Sequence, residues 1–164
     1  MKNIDKILIP SGPNKRIDLQ RARGAIKIYG PQSKYALLGA GPDTLEALKY
    51  GTSEIPRSLD HHVGLYRFVM SKIPQENIEI IDKSKTTVEN LVEFFKDDRQ
   101  GNYIIVSDEW QLSKYIRVFD ILKNKNYISS FASLEGNAII TEDYYNFIQK
   151  IASEIKTNLE LLRL

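Results

Sequence analysis

Tyr103-Ile104-Ile105-Val106-Ser107-Asp108-Glu109-Trp110-Gln111-Leu112-Ser113-Lys114 is where the chain changes period. Tyr103 to Val106 is an unbroken apolar run, as expected of a strand buried on both faces. After it, Leu112, Tyr115, Ile116 and Phe119 recur at helical spacing. The same switch recurs upstream. Ile4 to Pro10 reads as a strand, and Ala22, Ala25, Ile26 and Tyr29 predict a helix over Arg16 to Tyr29. Lys34 to Leu38 and Asn77 to Ile81 read as further strands, the latter followed by a helix carrying Val88, Leu91, Val92 and Phe95. Leu59 to Lys72 predicts a helix with His62 on its apolar face, whereas Asp43 to Arg57 is weakly patterned. Strand–helix alternation of this kind predicts βαβ units. The expectation is an α/β, Rossmann-like three-layer sandwich with a mainly parallel five-stranded sheet, residues 1–164 forming one domain.

Towards the carboxyl terminus, Tyr127 to Ala132 reads as the fifth strand and Glu135-Gly136-Asn137 as a turn. A last helix is expected over Glu142 to Leu162, with Thr141, Glu142 and Asp143 suited to its amino end. Its stripe of Tyr144, Phe147, Ile148, Ile151, Ile155 and Leu159 is expected to enter the core, a contact in a homodimer being the alternative.

The chain has 23 basic and 21 acidic side chains, a balance that gives no support to nucleic-acid binding. It contains no cysteine, which removes disulfides, thiolate metal sites and cysteine nucleophiles. No apolar run approaches the length needed to span a bilayer, so a cytoplasmic protein is expected. His61 and His62 are adjacent, which on a helix turns them to different faces and disfavours a shared metal.

A parallel sheet binds ligands outside the carboxyl ends of its strands. Four junctions of this sequence would meet there. Ser11-Gly12-Pro13-Asn14 leads into a helix start, where backbone N–H groups can receive an anion and Lys15 and Arg16 add charge; a plain turn is the alternative. Gly39-Ala40-Gly41 allows a tight turn or a close ligand. In Ser84-Lys85-Thr86-Thr87-Val88-Glu89-Asn90, the side chains of Thr87, Glu89 and Asn90 stand in a helix's first turn, although Thr86 with Glu89 also fits a capping box. Ser107 to Lys114 offers Asp108, Glu109 and Lys114 for a polar ligand or proton transfer, with Asp108 and Gln111 as an alternative cap.

In this order the junctions resemble the YdcF-like family, which also contains the SanA-like and ElyC-like proteins. The similarity runs from about Ile4 to Phe119. Arg21, Ala25 and Tyr29 are similar to its Arg-x-x-x-Ala-x-x-x-Tyr helix, and Gly39-Ala40-Gly41 stands where the family has Ser-Gly-Gly. Asp60 falls where it places a glutamate, and Ile73-Pro74 with Ile78 to Ile81 resembles its Val-Pro segment and third strand. Ser84, Thr87, Glu89 and Asn90 reproduce its Ser-x-x-Thr-x-Glu-Asn motif. The departure is at Gln111 and Lys114, where the family has histidine and arginine.

The resemblance implies a Rossmann-like fold and a polar cleft for a small, nucleotide-like or phosphorylated ligand, S-adenosylmethionine among the suggested ones. It draws Ser11, Gly12, Gly39, Gly41, Asp60, Ser84, Thr87, Asn90, Ser107, Asp108, Gln111 and Lys114 into one candidate ligand site. Glu89 is the expected general base or orienting carboxylate, and Lys114 the group that neutralises an anion; Arg21 is expected either to point into the site or to form a helix-surface ion pair. Gln111 cannot act as an acid or base, and Lys114 lacks arginine's two-pronged fork. These changes also admit a non-catalytic interaction or regulatory protein.

Overall fold

A computed structural model describes residues 3–12, 15–39, 68–81, 84–139 and 146–164. Asp60, Gly41, the two histidines, the Asp43–Arg57 segment and Thr141 to Tyr144 therefore lie outside the described residues. Five strands form one sheet: β1 (Lys6–Pro10), β2 (Tyr35–Leu38), β3 (Ile78–Ile81), β4 (Gly101–Ser107) and β5 (Ala132–Ala138). They run in the order β3-β2-β1-β4-β5, and every pairing is parallel. The helices are α1 (Lys15–Tyr29), α2 (Thr87–Phe94), α3 (Glu109–Asn124) and α4 (Phe147–Leu162), with residues 68–72 also helical. The expected α/β three-layer architecture is present.

Strand alternation sends side chains to two cores. Ile7, Ile9, Tyr35, Leu37 and Val106 pack against Ala22 and Ala25 of α1 and against Val69 and Ile73. Leu8, Ala36, Leu38 and Ile105 face the other way, onto Leu91 and Phe94 of α2 and Leu112, Val118 and Leu122 of α3. Within that second layer Phe94, Phe95 and Tyr103 meet edge to face, with centroids 4.9–5.4 Å apart. At the amino-terminal end of the sheet, Glu79 accepts bonds of 2.9 and 2.6 Å from Arg99 and another from Lys6. Among the described residues no helix is long and apolar enough to cross a membrane.

Two expectations are corrected. The fifth strand is Ala132–Ala138, not Tyr127 to Ala132, and Glu135-Gly136-Asn137 lies inside it. Tyr127 closes the end of α3, its N–H donating to Leu122 O at 2.9 Å after Asn126 has turned into the left-handed region. All seven residues of β5 pair with β4, so main-chain bonding holds this strand despite its small and polar side chains. Leu112 packs over Gly136, where a Cβ would lie at ordinary contact distance, 3.4 Å from Leu112 Cδ2.

The second correction concerns the last helix. α4 starts after Asn146, whose side chain and Gln149 form a reciprocal capping box. Its apolar stripe does not enter the core: Phe147 and Ile148 are each 76% exposed. The polar side of α4 docks instead. Ser153 receives Lys114, Glu154 and Asn158 receive Arg117, and Glu160 receives Thr86. The surfaces of α2 and α3 offered at that place are cationic and hydroxylated, and they select the polar face of the helix.

Candidate functional site

In a sheet of this order the connection after β1 leads towards β2 on one side and the connection after β4 leads towards β5 on the other. The crevice between such diverging loops is where open parallel sheets bind ligands. A cleft of about 200 Å³ opens there. Pro10 and Ser11 at the end of β1 and Gly39 at the end of β2 line it. The first turn of α2 supplies Thr87 and Asn90, and α3 supplies Gln111, Lys114 and Tyr115. Ser153, Lys156, Thr157 and Glu160 of α4 form the remaining wall.

Arg21 ties the crevice across its middle. Its guanidinium is 1% exposed, donating from Nη1 to Pro10 O at 3.0 Å and from Nη2 to Asp108 Oδ1 at 2.7 Å. Asp108 in turn caps α3, its Oδ2 accepting from Gln111 N at 3.1 Å. The capping reading of Asp108 and its placement at the site are thus compatible: one oxygen serves the helix and the other serves Arg21. Ser107, fully buried, donates to the same carboxylate at 3.3 Å.

Gly12 lies under this arrangement. Its N–H donates to Asp18, so that donor is already engaged and not offered to an anion. A Cβ on Gly12 would come within 2.9 Å of Arg21 Nη1, so only glycine allows the loop to sit so close. Asp18 is fully buried, and its Oδ2 has no hydrogen-bond partner among the described residues. Burial pushes its carboxyl up to about 6, against the opposing pull of the Gly12 N–H and Arg21.

The Ser84–Asn90 segment separates into two functions. Ser84 Oγ donates to Asn90 Oδ1 at 2.6 Å, and Asn90 Nδ2 donates to Tyr115 Oη at 2.8 Å. Asn90 therefore connects the end of β3 to α3 and orients the Tyr115 hydroxyl at the cleft. Ser11 Oγ donates to Gly39 O at 3.1 Å, closing the gap between β1 and β2. Glu89 is turned elsewhere. It is exposed and does not line the cleft, and its carboxylate accepts from Lys85 N at 2.8 Å. Thr86 is the N-cap of α2, accepting from Glu89 N at 3.2 Å while its hydroxyl donates to Glu160 at 2.7 Å. Glu89 thus serves the start of the helix, and the cleft lies on the other side of it.

Lys114 is 5% exposed, with Nζ donating to Ser153 Oγ at 2.8 Å and lying 4.9 Å from the centre of the Trp110 ring. Burial pushes its ammonium below the ordinary lysine value, with Glu154 and Asp108 opposing. Arg21, Lys85, Lys114 and Lys156 together face the single carboxylate of Glu160 among the described lining residues. No group of three or more potential metal ligands occurs among the described residues.

The chain matches no protein-family model, no curated protein and no solved structure. Its chemistry is accordingly read from the geometry.

The structure brings Ser11, Gly39, Thr87, Asn90, Gln111 and Lys114 together around the cleft, with Ser84, Ser107, Asp108 and Gly12 directly behind them. It adds Tyr115 and the α4 wall, which the sequence reading did not include. A signal for that wall was present. Ser153, Lys156, Thr157 and Glu160 share one helical face opposite the apolar stripe.

Proposed function

We propose that this protein binds a small anionic, oxygen-rich ligand in the cleft outside β1, β2 and β4, a phosphorylated or nucleotide-like molecule, as a divergent YdcF-like protein of the cytoplasm. The observation that carries the reading is Lys114. It is a buried lysine whose ammonium hydrogen-bonds a neutral serine, and burial pushes it below the ordinary lysine value even though the carboxylates of Glu154, Asp108 and Glu160 favour its charge from a distance. An anionic group of the ligand would add the directly bonded partner. Lys85 and Lys156 add positive potential at the cleft, while Ser11, Thr87, Tyr115 and Thr157 offer hydroxyls to phosphate or sugar oxygens. The volume formed by the described residues is below the roughly 300–1,000 Å³ common for drug-sized ligands, which favours a phosphate or sugar phosphate over a dinucleotide.

Gln111 supports a second reading, that of a non-catalytic sensor or regulatory protein. It presents a neutral amide at the cleft, and among the described lining residues the one carboxylate, Glu160, is bonded to Thr86.

Thermal-shift measurements with inorganic phosphate, sugar phosphates, nucleotides and S-adenosylmethionine test the proposal. A binding anion should raise the melting temperature of the wild type and leave that of a folded Lys114→Met variant unchanged. Glu89→Gln should respond like the wild type. Equal shifts in wild type and Lys114→Met, or no shift with any of these anions, would overturn the assignment.

A further inference from the structure

The outward face of α4 carries Phe147, Ile148, Ile151, Ile155, Leu159 and Leu162, each between 44% and 80% exposed. A continuous apolar stripe on a helix that docks by its polar side reverses the usual arrangement. We infer that this stripe is the contact by which two copies of the chain pair, α4 against α4, antiparallel about a two-fold axis at Ile155.

The spacing of the stripe supports a second copy as the occupant. Ile151 and Leu159 stand four residues on either side of Ile155, and Ile148 and Leu162 stand seven. Offsets of four and seven keep all five positions on one stripe. A two-fold contact is self-complementary: if one residue meets another on the partner, the reverse contact is made as well. Antiparallel pairing about Ile155 would set Ile148 against the partner's Leu162 and Ile151 against the partner's Leu159, with Ile155 meeting its own counterpart. Between the apolar positions lie Ala152 and Asn158, so no like charges are brought together.

The area reaches the lower end of the specific-interface range. At about 150–200 Å² for a fully exposed large side chain, the six residues present roughly 600 Å² per copy. A standard interface buries about 800 Å² per partner, which the flanks of the helix can complete. A lipid surface would instead favour cations bordering the same stripe. Here Lys156 lines the cleft and Lys150 lies 6.0 Å from the Trp110 ring, both towards the body of the domain, which leaves the exposed Arg163 at the end of α4 as one cation beside the stripe rather than a bordering row.

This inference does not depend on the ligand. Light scattering on the full chain over a dilution series should give twice the chain mass at the concentrated end. Ile155→Asp places two carboxylates face to face at the axis and should weaken self-association about tenfold or more, with an unchanged circular dichroism spectrum. The natural chain has no cysteine, so single cysteines report geometry cleanly. Ile155→Cys should give a disulfide-linked dimer on mild oxidation. Ile148→Cys should not link to itself, since its two copies would lie about 21 Å apart along the helices, but should link to Leu162→Cys when the two are mixed. A chain that stays monomeric throughout, including one that binds anionic vesicles as a monomer, would overturn the inference. So would self-linking of Ile148→Cys in preference to Ile155→Cys.

Discussion

Asp18, Gly12 and Arg21 show how tightly the end of β1 is built. Asp18 is fully buried and its carboxyl is raised to about 6 from an ordinary value of 3.8. The folded state therefore holds that proton more firmly than the unfolded chain does. This contribution to stability is complete below the unfolded value and is lost as pH rises through about 6. Asp18→Asn keeps an acceptor for the Gly12 N–H and removes the titration. Urea unfolding of both proteins should show the wild type losing on the order of 2–3 kcal/mol relative to the variant between pH 4 and pH 7. A difference that does not change with pH would refute this. Gly39 is constrained in another way. Its φ is +90°, and a Cβ would lie 3.0 Å from Ser11 Oγ and 3.3 Å from Asn90 Nδ2. Gly39→Ala should cost about 1–3 kcal/mol in denaturant unfolding. It should also weaken any ligand that uses Ser11, because the side chains flanking the cleft must move apart.

The elements divide into those whose period decided their structure and those that their neighbours decided. α1 and β1 to β4 fall within a few residues of their expected limits, and α2 and α3 form where their apolar stripes predict helices, because apolar residues there are buried by the layers their spacing implies. β5 was not legible in the same way. Its side chains carry little strand signal, and its place depends on the free edge of β4. Within α2 the site motif proved to contain a cap as well as a cleft. Thr86 serves both the Glu89 N–H and the Glu160 carboxylate, so Thr86→Ala should cost about 1 kcal/mol and loosen α4 from α2. Glu89→Gln, which preserves an acceptor for Lys85 N–H, should cost less than about 1 kcal/mol and leave ligand binding intact. Thermal melts of the two variants would reveal the contrast, and a larger loss in Glu89→Gln would contradict it.

Taken together, the layers create a polar cleft with one wall, α4, that is attached mainly through hydrogen bonds and ion pairs. Thr157 and Leu161 are its buried residues. A ligand touching Lys114 and Ser153 would bridge this wall to α3. Amide hydrogen exchange in α4 should therefore slow when a ligand binds, whereas the central strands should change little. Unchanged protection of α4 in the presence of a saturating ligand would argue that the ligand sits elsewhere. The sequence was enough to establish the α/β architecture and the strand ends from which the site is assembled, since apolar period is a local property and burial follows from it. It also marked Ser11, Gly39, Thr87, Asn90, Gln111 and Lys114, which reach the cleft because they stand just beyond those strands. The roles of Glu89 and α4 were decided only in three dimensions. A side chain's period states which residues share a face, but the surface it meets determines whether that face is turned inward. For α4 that surface carries Thr86, Lys114 and Arg117, and their need for polar partners turned the hydrophobic stripe to the outside.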